Sequence, residues 1–179
     1  MKPKTITIFI ISLFTLIYSC SNNDDATNSI PLEGSYLEAK IQGKSVVIKK
    51  GELGHTLNGV ALGIGSEFTF TILGNIINLD RTVNLDIEFT GENFENLKAG
   101  DTFSLDTNAD IGYANYSTLS DDDNDTYGST TLNSERYIKI TVIDTENRII
   151  SGEFRFSNIK DSSSDKTYTI EGSFNEVTY

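Results

Sequence analysis

Residues 82–90, TVNLDIEFT, alternate without a break. Val83, Leu85, Ile87 and Phe89 fall on one side. Thr82, Asn84, Asp86, Glu88 and Thr90 fall on the other. A helix would scatter these apolar side chains around its axis, whereas a pleated strand collects them on one face. One greasy row and one polar row describe a half-buried antiparallel strand. The same period returns along the chain. Leu37, Ala39 and Ile41 alternate with Tyr36, Glu38 and Lys40, and Phe68, Phe70 and Ile72 with Thr69 and Thr71. Ile138, Ile140 and Val142 alternate with Tyr137, Lys139 and Thr141. Ile150, Phe154 and Phe156 form one row against Ile149, Glu153 and Arg155, and Tyr168, Ile170 and Phe174 another against Thr169 and Glu171.

Turn residues punctuate the rows. Gln42-Gly43-Lys44, Gly65-Ser66-Glu67, Gly74-Asn75 and Asp144-Thr145-Glu146-Asn147 are short enough to close hairpins. Phe94 and Leu97, three apart between Glu92 and Ala99, allow one helical turn, and nothing else sustains a helical period. The expected fold of residues 32–179 is a single all-β domain. It is a hairpin-connected antiparallel β-sandwich or small β-barrel of about nine strands.

The N-terminus has a different character. Lys2 and Lys4 precede an uncharged, mostly apolar run from Thr5 to Tyr18. Its length suits the core of a signal peptide and falls short of the ~20 residues that a membrane-spanning helix needs. Leu16-Ile17-Tyr18-Ser19-Cys20 resembles a bacterial lipobox, with Tyr18 bulkier than the usual residue there. The resemblance implies a lipoprotein signal peptide over residues 1–19 and acylation of Cys20. Cys20 is the only cysteine of the 179 residues, so no internal disulfide is possible. The stretch SNNDDATNS, residues 21–29, cannot build a core. Residues 20–31 are therefore expected to be a lipidated N-terminus and a flexible acidic tether, of which residues 21–29 reach ~30 Å when extended. Asp24 and Asp25 resemble the acidic export signals of Bacteroidota surface lipoproteins.

Charge narrows the partners. The net charge is −12, and becomes about −14 when Lys2 and Lys4 leave with the signal. Such a chain repels nucleic acid and anionic headgroups. The expected partners are the membrane, through the acyl chains, and a protein or glycan of unknown identity.

Catalytic chemistry is poorly represented. His55 is the only histidine, and it stands in the glycine-bounded segment from Gly51 to Gly59, where a loop residue is expected. It provides no evident base for a serine or cysteine nucleophile, and a zinc site would need more His or Cys ligands. Gly59, Gly63 and Gly65 precede a strand rather than a helix, which rejects a phosphate loop and leaves bends or tight packing. Two carboxylates suffice for glycoside hydrolysis, yet no pair is marked by its neighbours.

The acidic run DDDND is the sharpest local anomaly. Asp121, Asp123 and Asp125 have the alternate spacing that calcium loops use. Thr126 and Leu132 stand where an EF-hand requires glycine and glutamate, and Glu135 is the nearest further carboxylate. A solvated loop without metal is expected, and no cofactor. Tyr113, Tyr116 and Tyr127 flank this run as candidate stacking residues for a sugar or a protein.

The C-terminal third, read as Ile138-Lys139-Ile140-Thr141, Ile150-Ser151-Gly152-Glu153-Phe154-Arg155-Phe156 and Ile170-Glu171-Gly172-Ser173-Phe174-Asn175, resembles a group of uncharacterised Bacteroidota lipoproteins. The resemblance implies an extracytoplasmic all-β domain at the cell envelope, held to the outer membrane and facing the periplasm or the outside. It carries no catalytic residue. The functional expectation is a lipid-anchored, non-catalytic binding or structural module. A lipocalin-like carrier is the alternative, and a glycan-acting enzyme stands behind it.

Overall fold

The computed structural model describes residues 33–104, 114–120, 126–128, 136–161 and 166–179. The chain divides into two units, Met1–Pro31 and Leu32–Tyr179, and all described residues belong to the second. They form eleven strands: β1 Tyr36–Ile41, β2 Lys44–Lys49, β3 His55–Ile64, β4 Glu67–Ile77, β5 Arg81–Glu92, β6 Thr102–Ser104, β7 Ala114–Ser120, β8 Thr126–Gly128, β9 Arg136–Asp144, β10 Ile149–Asp161 and β11 Thr167–Thr178. The only helical element among them is a single 3-10 turn, Phe94–Asn96, at the place where Phe94 and Leu97 allowed one. The two strands of three residues, β6 and β8, make up the excess over nine, being too short for alternation to show.

All pairings are antiparallel. Strands β2-β1-β11-β10-β9-β6 make a six-stranded sheet, and β3-β4-β5-β7 make a four-stranded one. The short β8 pairs with β7 on one side and with the end of β10 on the other, so hydrogen bonding runs from one sheet into the other. The architecture is a sandwich and not a closed barrel.

The alternating rows become the core. Val83, Leu85, Ile87 and Phe89 are all buried, as are Leu37, Ala39, Ile41, Phe68, Phe70 and Ile72. Each of the larger side chains contributes about 1.5–3 kcal/mol by leaving water. Rings concentrate at one end of the sandwich. Phe70 stacks on Phe94 at 5.7 Å and meets Tyr179 edge-on at 5.5 Å. Phe68 meets Phe89, Phe94 and Phe103 edge-on at 5.2–6.1 Å.

Two sequence expectations need correction. Gly74-Asn75 is not a turn but the middle of β4. A side chain on Gly74 would meet Ile48 and Leu37 at 2.8 Å, so glycine lets the two sheets approach there. The real turn is Asn78–Arg81, where the Asn78 side-chain oxygen accepts from the backbone N–H groups of Asp80 and Arg81. Val142 is the second case: it is exposed although Ile138 and Ile140 are buried. In β9, Ile140 pairs with Gly152 but Val142 pairs with Ser151, leaving Thr141 as an extra residue. This bulge reverses the parity, and Ile143 packs against the core instead.

Candidate functional site

The two outer faces differ in chemistry. On the six-stranded sheet, opposite charges pair across strands: Lys139 meets Glu153 at 3.4 Å and Arg155 meets Glu171 at 3.5 Å, both pairs well exposed. Such pairs are worth little, and the face reads as solvated. On the outer face of the four-stranded sheet, the described residues include no lysine or arginine. Thr56, Asn75, Asn84 and Ser117 form one row across it. Asn75 donates to Thr56 at 3.3 Å and Asn84 to Ser117 at 3.0 Å. In the next row Asp86 lies between Leu73 and Asn115. Burial pushes its carboxyl above the usual carboxylate range, opposed by a hydrogen bond from Asn115. Glu88 follows on the same face and accepts from the Thr71 hydroxyl at 3.2 Å.

At the rim of this sheet lies a cleft of about 590 Å³. Ala61, Gly63, Phe68 and Phe94 line it, with Glu67 and Glu95 at its mouth and no lysine or arginine in its wall. Phe94 is held by its stacking on Phe70 and its edge contacts with Phe68 and Tyr179, so the floor is rigid. Beyond the Gly63 backbone the nearest atom that a Cβ would meet is the Glu67 carbonyl oxygen at 3.9 Å, so the space beside it is open. A second, smaller cleft of about 270 Å³ lies at the β1–β2 hairpin, lined by Lys40, Gln42, Tyr168 and Glu171. It holds one aromatic ring, Tyr168, among charged and polar side chains, whereas the larger cleft sets Phe68 and Phe94 among Ser66, Asn93 and Asn96.

His55 does not sit in a loop: it is the first residue of β3. Its Nδ1 accepts the Lys49 backbone N–H at 3.1 Å, and its Nε2 lies 3.8 Å from Glu52. It ties β2 to β3. Tyr116 is buried, and its hydroxyl accepts from Arg81 at 3.1 Å, so it is a core residue rather than a stacking platform. Tyr113 and the Tyr127 side chain lie outside the described residues, as do Cys20 and the run Asp121, Asp123 and Asp125. Among the described residues, no three His, Cys, Asp or Glu side chains converge as a metal site would require. No described helix is long and apolar enough to cross a membrane.

The cleft was not legible in the sequence. It joins residues near Gly63 to residues near Phe94, and only the β4–β5 pairing of Glu67 with Glu92 makes them neighbours. The one signal was the Phe94–Leu97 spacing, which marked a turn but not what it faces.

The residues that carry the resemblance in the C-terminal third serve the fold. Ser151 is buried, and its hydroxyl accepts the Glu176 N–H at 2.9 Å while donating to Asn175 at 3.2 Å. It thereby satisfies a bulge in β11, where the pairing skips from Ile150–Val177 to Gly152–Phe174. Gly152 leaves room for the Phe174 ring, and Gly172 leaves room for the β1 backbone at Glu38 and Ala39. No curated protein and no solved structure matches the chain. Residues 63–178, about two thirds of the chain, match the family described as "Domain of unknown function (DUF6252)", and the protein belongs to that family.

Proposed function

We propose that the protein is a lipoprotein of the bacterial cell envelope, anchored to the outer membrane through acyl chains on Cys20, whose β-domain is a non-catalytic binding module. The carrying observation is the cleft between β3 and the 3-10 turn. It combines a preformed, rigid aromatic floor with an open mouth, the usual form of a binding site. The carrier alternative called for a barrel with an internal cavity. Phe68, Phe70, Phe89 and Phe103 fill the equivalent volume. The enzyme alternative called for a cleft holding two facing carboxylates with raised pKa. The carboxyl that burial pushes upward is Asp86, which lies beside Glu88 on the open sheet face and outside the cleft, whose own acids Glu67 and Glu95 are exposed at its mouth.

A fluorinated benzyl alcohol followed by fluorine NMR tests the cleft with the full chain. Line broadening is expected with the wild-type protein. Gly63→Leu places a side chain in the open space and should abolish it. Equal broadening in the variant, or none in the wild type, removes the cleft as the binding site.

A further inference from the structure

The cleft opens beside a sheet edge. Among the described residues, strand β3 pairs with β4 alone. The Gly54 carbonyl accepts the Ile77 N–H at 2.8 Å, which sets the phase of the ladder. Residues 56, 58, 60 and 62 therefore spend their backbone groups on β4, whereas Leu57, Gly59, Ala61 and Gly63 point theirs away from it. No strand among the described residues pairs with this second edge. The other sheet edges are protected in familiar ways, β7 in part by its pairing with β8. Strand β2 is six residues long and carries Lys44 and Lys49, and β6 has three residues. Strand β3 runs ten residues, HTLNGVALGI, with neither a Lys, Arg, Asp or Glu nor a proline.

Edge and cleft fit one occupant. A strand added to β3 would place the residues opposite Ala61 and Gly63 on the inner face, because directly paired residues share a face. Those side chains would point over Phe68 and Phe94. The acids nearby are Glu67, Glu92 and Glu95; Glu67 and Glu92 are paired across β4 and β5. Deepening the reading of the cleft as a binding site, and resting on it, we infer that β3 and the cleft together accept an extended polypeptide segment. Its backbone bonds to Ala61 and Gly63, an aromatic or branched apolar side chain enters the cleft, and lysine or arginine beside it meets the glutamates. Main-chain bonds supply the grip and the cleft supplies the selection, the division of labour of strand addition.

Blocked heptapeptides of alternating threonine test this with the full chain. The central residue is Phe, Leu, Ala or Asp, and the residues flanking it are both Lys or both Glu. Fluorescence anisotropy should rank Phe and Leu above Ala and Asp, and Lys flanks above Glu flanks. Gly63→Leu and Ala61→Pro should each weaken the best peptide by about tenfold or more, whereas Leu119→Lys, on a remote exposed position, should not. Ala61→Pro removes an N–H that no β4 partner uses, so its circular dichroism should match wild type. Binding of no peptide, or a ranking indifferent to the central residue, overturns the inference. So does a wild-type dimer dispersed by Ala61→Pro, which would assign the edge to a second copy. If the fluorinated alcohol binds and the peptides do not, the cleft stands and the peptide is the part that fails.

Discussion

Gly172 shows how much a single residue decides. Glycine in a strand costs about 0.5–1 kcal/mol of extra chain entropy relative to alanine, so Gly172→Ala would help if there were space. There is none: a methyl at Gly172 would overlap the Glu38 carbonyl oxygen and press on the Ala39 Cα at 2.8 Å. These are backbone atoms that no rotamer change can move aside. Overpacking costs about 1–3 kcal/mol and exceeds the entropy gain. Gly172→Ala should lower the urea midpoint, by roughly 2 kcal/mol in stability. Gly63→Ala, where the nearest atom is 3.9 Å away, should leave it unchanged or raise it slightly. An equal loss in both variants would mean that close approach at Gly172 is not the reason for glycine there. The sequence shows a glycine at both positions. Whether that glycine is a necessity or a vacancy depends on the strand lying against it.

Strand β9 carries the lesson at the level of the element. Period two correctly placed Ile138 and Ile140 in the core and Lys139 and Thr141 in water. It misplaced Val142, because alternation read along one strand assumes an unbroken ladder. The extra residue Thr141 breaks it, and a one-residue slip moves every later side chain to the opposite face. The prediction uses residues on the safe side of the slip. Ile140→Asp buries an unpaired carboxylate and should unfold the domain. Thr141→Asp, on the exposed bulge residue, should change stability little. Circular dichroism melts of the two variants separate the cases, and equal damage would put the register in error. Asp144 ends the strand by a purely local device: its carboxylate accepts the Asn147 side-chain and backbone N–H groups, which holds its carboxyl below the usual range. That device was legible as Asp-Thr-Glu-Asn, since its partners are three residues apart.

For the whole molecule, the proposed anchor and the β-domain are expected to be separable. Acyl chains on Cys20 would hold the chain to the membrane, and two or more of them anchor stably at ~0.8 kcal/mol per buried methylene. Cys20→Ser should therefore move the chain from the detergent-rich to the aqueous phase of a phase-separated extract, without altering the melt of the β-domain. A variant that still follows the detergent like wild type would defeat the lipobox reading. The domain needs no disulfide, because two sheets bury an apolar row from nearly every long strand between them.

The amino-acid order by itself determined that the domain is all-β, which residues turn inward along the strands whose alternation is regular, and that turns fall at Gln42-Gly43, Gly65-Ser66 and Asp144–Asn147. These are properties of neighbours in sequence, set by the pleat and by side chains bonding to nearby backbone. Tertiary structure alone decided sandwich against barrel, since closure depends on whether β2 and β3 pair, and they do not. It decided the parity reversal at Thr141, which is defined only against β10. It also decided the cleft, because Gly63 and Phe94 meet only when β4 and β5 have found their register. A contact between distant residues is a joint property of two segments, and no pattern within either one contains it.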